Sequence, residues 1–461
     1  MKKLIVSDKG FYKRVLVLAL PIAMQSLITV GVNMLDNVML GRLGETEMSA
    51  VSLANSFISI YHIFCMGIGM GASVLVSRYW GMREKEPEKS QEALKQTICI
   101  MVRIAVCLAL LFALATALFP GLIMRMYTDK AGIITGGVTY LKYSVITYFF
   151  LGLSLVCTIV LRSVGQVRIP LYVSIGAFFV NLGANYALIF GKLGMPKMGI
   201  AGAALGTLIA RLFEVSVICG YLFFVDKKIG FRLKHLKMKT GNLLGEYVRI
   251  SIPVLISDGI LAIGNNTVAM VIGRLEESFV AANSITAVTQ QMSSVLIQGV
   301  CQAGAIVTGQ TLGEGDREKA QQQGYGFLGF GLMLGTLSAA FITAFSGPIV
   351  SYFEVSDHTA GIARSLMNAI SLIVIFQATN SIMTKGVLRG GGDTKMLMLA
   401  DNIFLWVLSI PLGVVAAFVL KLSPFWIYIC LKFDQIAKAV WCVYRLRSGK
   451  WIKKISTGKT E

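Results

Sequence analysis

Residues 21–44 read PIAMQSLITVGVNMLDNVMLGRLG, and residues 253–276 read PVLISDGILAIGNNTVAMVIGRLE. Pro21 falls on Pro253, Asn33 on Asn265, and Gly41-Arg42-Leu43 on Gly273-Arg274-Leu275, so a single offset of 232 residues superposes the two stretches. The same register carries Ala50, Ser52, Gly67 and Gly81 onto Ala282, Ser284, Gly299 and Gly313. Farther along, Leu161-Arg162 with Gly165 falls on Leu388-Arg389 with Gly392 at an offset of 227, a net loss of five residues between the two registers. The chain is one plan written twice, and a duplicated plan in an apolar chain puts the working pathway between its copies.

A helix that crosses a bilayer needs roughly 20 apolar residues. Each copy offers six such stretches, near 14–40, 49–78, 93–118, 133–160, 167–191 and 198–225, then near 246–272, 280–310, 320–346, 362–388, 394–420 and 423–445. With 55% hydrophobic residues, 15% charged and a mean hydropathy of +0.70, a water-soluble globule is excluded. The stretches are continuously apolar, as over 108–118, without the alternating polar positions that a barrel lumen imposes. The expected fold is an all-α integral membrane protein: twelve transmembrane helices in two pseudo-symmetric six-helix lobes around a central cleft.

Six spans per copy start both copies on the same side, so the repeats are related by an axis along the membrane normal. The expected division is a first lobe over 1–225, a linker over 226–245, a second lobe over 246–448 and a basic tail over 449–461. The formal net charge of +19 is distributed as topology rather than as a nucleic-acid surface. Lys2, Lys3, Lys9, Lys13 and Arg14 precede the first span, Arg78, Arg83, Lys85 and Lys89 follow the second, and Lys227, Lys228, Arg232, Lys234, Lys237 and Lys239 fill the linker. Arg445, Arg447, Lys450, Lys453 and Lys454 close the chain. Excess positive charge marks the cytoplasmic face, which predicts a multi-pass membrane protein with both termini in the cytoplasm. The opposite loops carry Glu45, Glu47, Glu276, Glu277, Glu354 and Asp357. No small-residue cleavage site follows a short apolar core at the start, so the first helix is expected to be retained.

Asp36 stands deep in an apolar helix, where a carboxylate is costly and therefore usually functional. Burial penalises its bare charge, so it calls for a proton or a sodium ion as partner. Its counterpart at the 232 offset is Val268, which makes the two lobes unequal. Asn181 and Asn185 stand i, i+4 on the fifth span and project from one face, at a depth that suits a meeting with Asp36; interhelical packing is the alternative. Asp258, five residues after Pro253, is a second acidic candidate. Pro21 and Pro253 each remove one N–H from the first helix of a copy, which permits a gating bend or fixes a static kink. Gln291, Gln298 and Gln302 recur along one stripe of the eighth span and are expected to face the cleft, since amides avoid lipid; Met34 is an adaptable apolar wall candidate. Arg162 and Arg389, each beside a Gly-rich turn, read as anchors for short loops, and Arg211 with Glu214 as an i, i+3 pair. Eight cysteines, among them Cys65, Cys107, Cys157 and Cys219, occur singly with no CxxC and read as small buried hydrophobes. His62, His235 and His358 lie far apart with no nucleophile or metal constellation beside them, so neither an enzyme nor a cofactor is expected.

Val32-Asn33-Met34-Leu35-Asp36 running into Gly41-Arg42-Leu43-Gly44 is the first of several pieces that occur in a fixed order. Leu161-Arg162-Ser163-Val164-Gly165-Gln166 follows, then NLGANYALIF from Asn181 to Phe190 and Gly199-Ile200-Ala201-Gly202-Ala203-Ala204. The second copy adds Leu388-Arg389-Gly390-Gly391-Gly392-Asp393-Thr394. Over nearly its whole length the chain resembles the multidrug and toxic compound extrusion (MATE) family, and NorM-like members in its first lobe. That resemblance implies a secondary antiporter that exports small organic cations in exchange for H+ or Na+ by alternating access, working as a monomer. It also implies a first-lobe cation site that combines Asp36 with the N-x-x-x-N pattern of Asn181 and Asn185, with Thr207 adding a hydroxyl. In NorM-like members a seventh-helix acid stands three positions beyond Asp258, where this chain has Leu261. Asp258 is therefore left as an ion site, an attractor for substrate charge or a simple ion-pair partner. A lipid-linked oligosaccharide flippase of the same superfamily is the nearest competing reading, although such proteins line their cavity with arginines, which are sparse here.

Overall fold

A computed structural model describes residues 8–241, 243–352 and 355–453; Lys2, Lys3, Glu354 and Lys454, named above, lie outside the described residues. The first copy folds as α1 (Lys9–Gly41), α2 (Glu45–Met82), α3 (Pro87–Leu118), a short α4 (Pro120–Arg125), α5 (Ala131–Ser144), α6 (Thr147–Ser163), α7 (Arg168–Phe190) and α8 (Ile200–Gly220). The second folds as α9 (Leu243–Gly273), α10 (Glu277–Gly313), α11 (Arg317–Tyr352), α12 (Asp357–Ser381), α13 (Thr394–Asn402), α14 (Ile410–Val414), α15 (Pro424–Leu431) and α16 (Phe433–Arg447). Wider π-turns extend α8 through Val225, extend α12 through Leu388 and join α13 to α14. The described residues contain no strand.

Ten of these helical runs are long and apolar enough to cross a membrane, and eleven if α5 and α6, bent by 57° at their junction, form one span. The sequence predicts a single helix over 133–160. There the Ser144 hydroxyl donates to the Tyr140 carbonyl at 2.8 Å, a back-bond that favours bending. The twelfth expected span, 423–445, is instead two helices of 8 and 15 residues broken at Lys432, whose φ of −116° and ψ of 17° leave the helical region. Prolines open α3, α4 and α15 within the first turn, where their missing N–H costs nothing. Gly165 and Gly392, equivalent in the two copies, carry φ of 82° and 86°, so each Leu-Arg-x-x-Gly turn needs a residue without a Cβ.

The described residues form two compact units, one of Met24–Leu255 and one that gathers those up to Ala23 with those from Ile256 to Lys453. Their borders fall not at the linker but inside α1 and α9, two residues past Pro21 and Pro253. Within the Met24–Leu255 unit, the start of α9 lies on α2: the Tyr247 hydroxyl donates to the Ile68 carbonyl at 3.1 Å, and a Cβ on Gly67 would stand 2.9 Å from Leu255 Cα. Within the other unit, the start of α1 lies on α10 and α11: Phe11 meets Phe327 edge-on at 5.2 Å, Arg14 donates to Gln310, and a Cβ on Gly299 would stand 3.2 Å from Ala23 N. Gly67 and Gly299 are repeat equivalents, as are Ala23 and Leu255, so the same close helix approach is used twice.

The basic linker is pinned at its ends. Asp226 accepts from Gln166 Nε2 and Ile229 N, both at 2.7 Å, and Arg103 on α3 donates to the carbonyls of Leu236 at 2.7 Å and Met238 at 3.0 Å.

Candidate functional site

Five residues before the end of α1, Asp36 meets α7. Asn185 Nδ2 donates to Asp36 Oδ1 at 2.7 Å and lies 3.3 Å from Asn181 Oδ1, so one amide nitrogen ties the carboxylate to the i, i+4 pair. Asp36 is partly buried, while Asn181 and Asn185 are 5% and 1% exposed. Asn185 Oδ1 is a buried acceptor with no hydrogen-bond partner among the described residues. The cluster therefore offers oxygens from Asp36, Asn181 and Asn185 and spends only one donor on them, which suits a proton or a small hard cation held by oxygen.

Side chains that the sequence did not flag complete the surroundings. Gly206 on α8 faces Asn185, and a Cβ there would come within 3.0 Å of Asn185 Cγ, so the absence of a side chain makes room for the amide. Tyr140 on α5 donates to Asn55 Oδ1 at 3.2 Å and engages the Thr207 hydroxyl. Thr207 is thus tied to Tyr140, beside the cluster. Neither Tyr140 nor Asn55 carries a spacing signal, because each is brought in by a helix distant in sequence.

Arg211 Nη1 pairs with Glu214 Oε2 at 2.6 Å, the i, i+3 pair expected on α8. Its charge reaches Asp36 and also His62 on α2. Arg162 departs from the expected loop anchor. Its guanidinium donates to Gln25 Oε1 on α1, and Gln25 Nε2 in turn donates to Ser174 Oγ on α7 at 2.8 Å. Arg389 departs in the same way, since it is 4% exposed and its Nη2 binds Asp258 Oδ1 at 3.0 Å. Each arginine, at the end of an apolar helix, turns inward to a polar residue on the first helix of its copy, four residues past Pro21 for Gln25 and five past Pro253 for Asp258.

Of the remaining candidates, Gln291 is exposed and Gln298 and Gln302 are partly so; Gln290 beside them is bonded to Gln377 at 3.1 Å and to the Tyr428 hydroxyl at 3.3 Å. Met34 is 58% exposed. Pro21 and Pro253 sit inside helices that continue past them. Among the described residues no group of three His, Cys, Asp or Glu could hold a metal ion. All eight cysteines are free, yet the sulfurs of Cys157 and Cys219 stand 3.5 Å apart, a meeting of α6 and α8 that spacing alone could not show.

A family model described as MatE matches residues 21–187 and again residues 253–415, starting each time at the equivalent proline. The chain is 24% identical to the probable multidrug resistance protein NorM of Thermotoga maritima over 96% of its own length and 93% of that protein's. It is 26% identical to the multidrug resistance protein PmpM of Pseudomonas aeruginosa, over 87% of this chain and 83% of that one. Among solved structures, an outward-facing multidrug resistance MATE family transporter of the MOP superfamily superposes with a TM-score of 0.82 at 18% identity, over 97% of this chain and 100% of that one. That likeness extends to the fold.

Proposed function

The chain belongs to the MatE family of membrane transporters, and from that premise we propose that it exports small organic cations, drugs among them, in exchange for H+ or Na+ by alternating access. It is a multi-pass membrane protein and not an enzyme, and its likeness to bacterial multidrug resistance proteins supports an inner-membrane location. The relatives' designation as multidrug resistance proteins supports the substrate class. The observation that carries the exchange reading is the way Asp36 is held. Its partner is the amide of Asn185 at 2.7 Å, and the nearby Arg211 gives its ion pair to Glu214.

A partly buried carboxylate held by an amide, whose nearby cation is already paired elsewhere, favours the binding of a mobile one, so Asp36 takes up H+ or Na+ and gives it up when an organic cation competes for its charge. Coupling then needs no third component. Asn181 and Asn185 supply amide oxygens to the ion, Gly206 keeps their helix close to α8, and Thr207 acts through Tyr140. Pro21 and Pro253 are the positions at which α1 and α9 bend during the cycle. Both termini lie in the cytoplasm in this reading, and one chain suffices for transport.

The test is ethidium efflux from de-energised, preloaded vesicles on which a proton gradient and then a sodium gradient is imposed. The protein is expected to extrude ethidium under one of the two, and Asp36→Asn at equal expression to extrude none. A protein that moves no cationic dye under either gradient would overturn the reading.

A further inference from the structure

The second unit contains a buried charged cluster that the exchange reading does not use. Lys438 on α16 is 2% exposed, and its ammonium stands 3.2 Å from Asp401 Oδ1 on α13 and 3.1 Å from Asp434 Oδ2 on its own helix. Both carboxylates are buried, at 5% and 2% exposure. Asp401 also accepts from Ser257 Oγ on α9 at 2.7 Å, and Asp434 from Gln435 Nε2 at 2.6 Å and Ser409 Oγ at 3.3 Å. Two further fixed cations stand within electrostatic reach: Arg389, which binds Asp258 and feels Asp401, and Lys432, which feels Asp434. Three carboxylates (Asp258, Asp401 and Asp434) thus face at least three fixed positive charges.

The repeat shows what this cluster replaces. Ile209-Ala210-Arg211 falls on Ile436-Ala437-Lys438 at the 227 offset, which pairs Arg211 with Lys438, Thr207 with Asp434 and Ser174 with Asp401. At the 232 offset Gln25 pairs with Ser257. The neutral bond from Gln25 to Ser174 in the first unit therefore recurs as the bond from Ser257 to Asp401 in the second. At the same positions the second unit has added two acids and kept the cation of the sixth helix. Conversely, the equivalents of Asp36, Asn181 and Asn185 are Val268, Leu408 and Leu412, none of which can hold an ion.

We propose that Lys438 is a tethered counter-ion that permanently fills the Asp401–Asp434 pair, so the second unit takes up no coupling ion and each cycle exchanges a single cation, at Asp36. This deepens the exchange reading and rests on it. The physical ground is competition: an ammonium already held by two buried carboxylates, with Arg389 and Lys432 nearby, leaves a free sodium ion or proton no net negative charge to bind. A one-for-one exchange of a monovalent ion against a monovalent drug moves no net charge, so the membrane potential does no work on it.

Two measurements test this. In proteoliposomes under the driving ion gradient, ethidium flux through the wild type is expected to be indifferent to a potassium–valinomycin potential. The neutral triple variant Asp401→Asn, Asp434→Asn, Lys438→Gln is expected to keep that flux within about twofold and to remain indifferent to the potential. A wild-type flux that the potential steepens, or a triple variant that loses flux or changes its response to the potential at equal reconstitution, overturns the proposal. The second measurement needs neither transport nor the triple variant. At pH 8, in the Asp36→Asn background that removes the coupling site, the thermal midpoint of Lys438→Ala is expected to fall below that of Asp36→Asn alone and to recover when sodium or ethylammonium replaces choline, while Asp36→Asn with Lys438 intact shows no such gain. Failure of both cations to restore Lys438→Ala overturns the tethered role. Should the wild type move no ethidium at all, the exchange reading fails by itself, and the thermal measurement still judges the lysine.

Discussion

The end of α1 and the equivalent end of α9 descend from one ancestral segment and have become opposites. In α1, Asp36 is held by an amide, with a spare buried acceptor on Asn185 beside it. In α9 the same place is Val268, 2% exposed. Near the prolines the contrast reverses: the first unit joins Gln25 to Ser174 and Arg162 without a carboxylate, while the second pairs Asp258 with Arg389 and Asp401 with Lys438. The acids near the prolines of the second unit are paired with fixed cations, while the partly buried acid at the end of α1 is held by an amide. Duplication supplied two frames, and on the proposed exchange reading the placement of fixed cations decides which of them handles ions.

The sharpest way to break this comparison is to exchange the two kinds of defect. Asp36→Asn should fold as well as the wild type, since an amide can still pair with Asn185, yet show no ion-driven drug exchange; fluorescence-detected gel filtration beside ethidium efflux checks both halves. Arg389→Leu should do the reverse to the protein's stability, costing about 1–3 kcal/mol because the partly buried Asp258 is left without its partner. A thermal midpoint unchanged from wild type would show that Asp258 does not need the pair. Val268→Asp tests whether a carboxylate alone makes an ion site. With Leu408 and Leu412 at the positions of the two asparagines, it should cost about 2.5–3.5 kcal/mol and confer no additional sodium-dependent stabilisation. The smallest effect is expected from Gly206→Ala, whose methyl group would press on Asn185 and cost about 1–3 kcal/mol of local fit. It should lower the apparent affinity for the driving ion while leaving drug efflux at saturating gradient near the wild-type rate.

The repeat and the apolar spans were legible because both are written in local sequence: the GRL triplets, the Leu-Arg-x-x-Gly turns and runs of about 20 apolar residues. The meeting of Asp36 with Asn181 and Asn185 was legible for a related reason, since i, i+4 spacing fixes a helix face and matched depth brings two helices together. What stayed hidden depended on contacts between distant segments. Asp258 finds Arg389 131 residues away, and Tyr140 reaches Asn55 across 85, with nothing near either residue to announce it. The bend at Ser144 and the break at Lys432 were hidden because apolar composition continues across both. The Ile-Ala-Arg and Ile-Ala-Lys triplets were in plain view, but a shared cation acquires meaning only when its partners, Glu214 in one copy and two aspartates in the other, are known.

The borders two residues past Pro21 and Pro253 bear on how the protein is made. The opening stretch of α1 leaves the ribosome before the surfaces it packs on: Gly299 follows Ala23 by 276 residues and Phe327 follows Phe11 by 316. The Met24–Leu255 unit, in turn, lacks a piece of its packing until the start of α9 has emerged and laid Leu255 against Gly67. Maturation therefore cannot proceed as one finished half followed by another. A chain cut in the linker and expressed as two fragments would give neither unit alone, and only fragments present in the same membrane, free to trade their leading helices, could assemble the transporter.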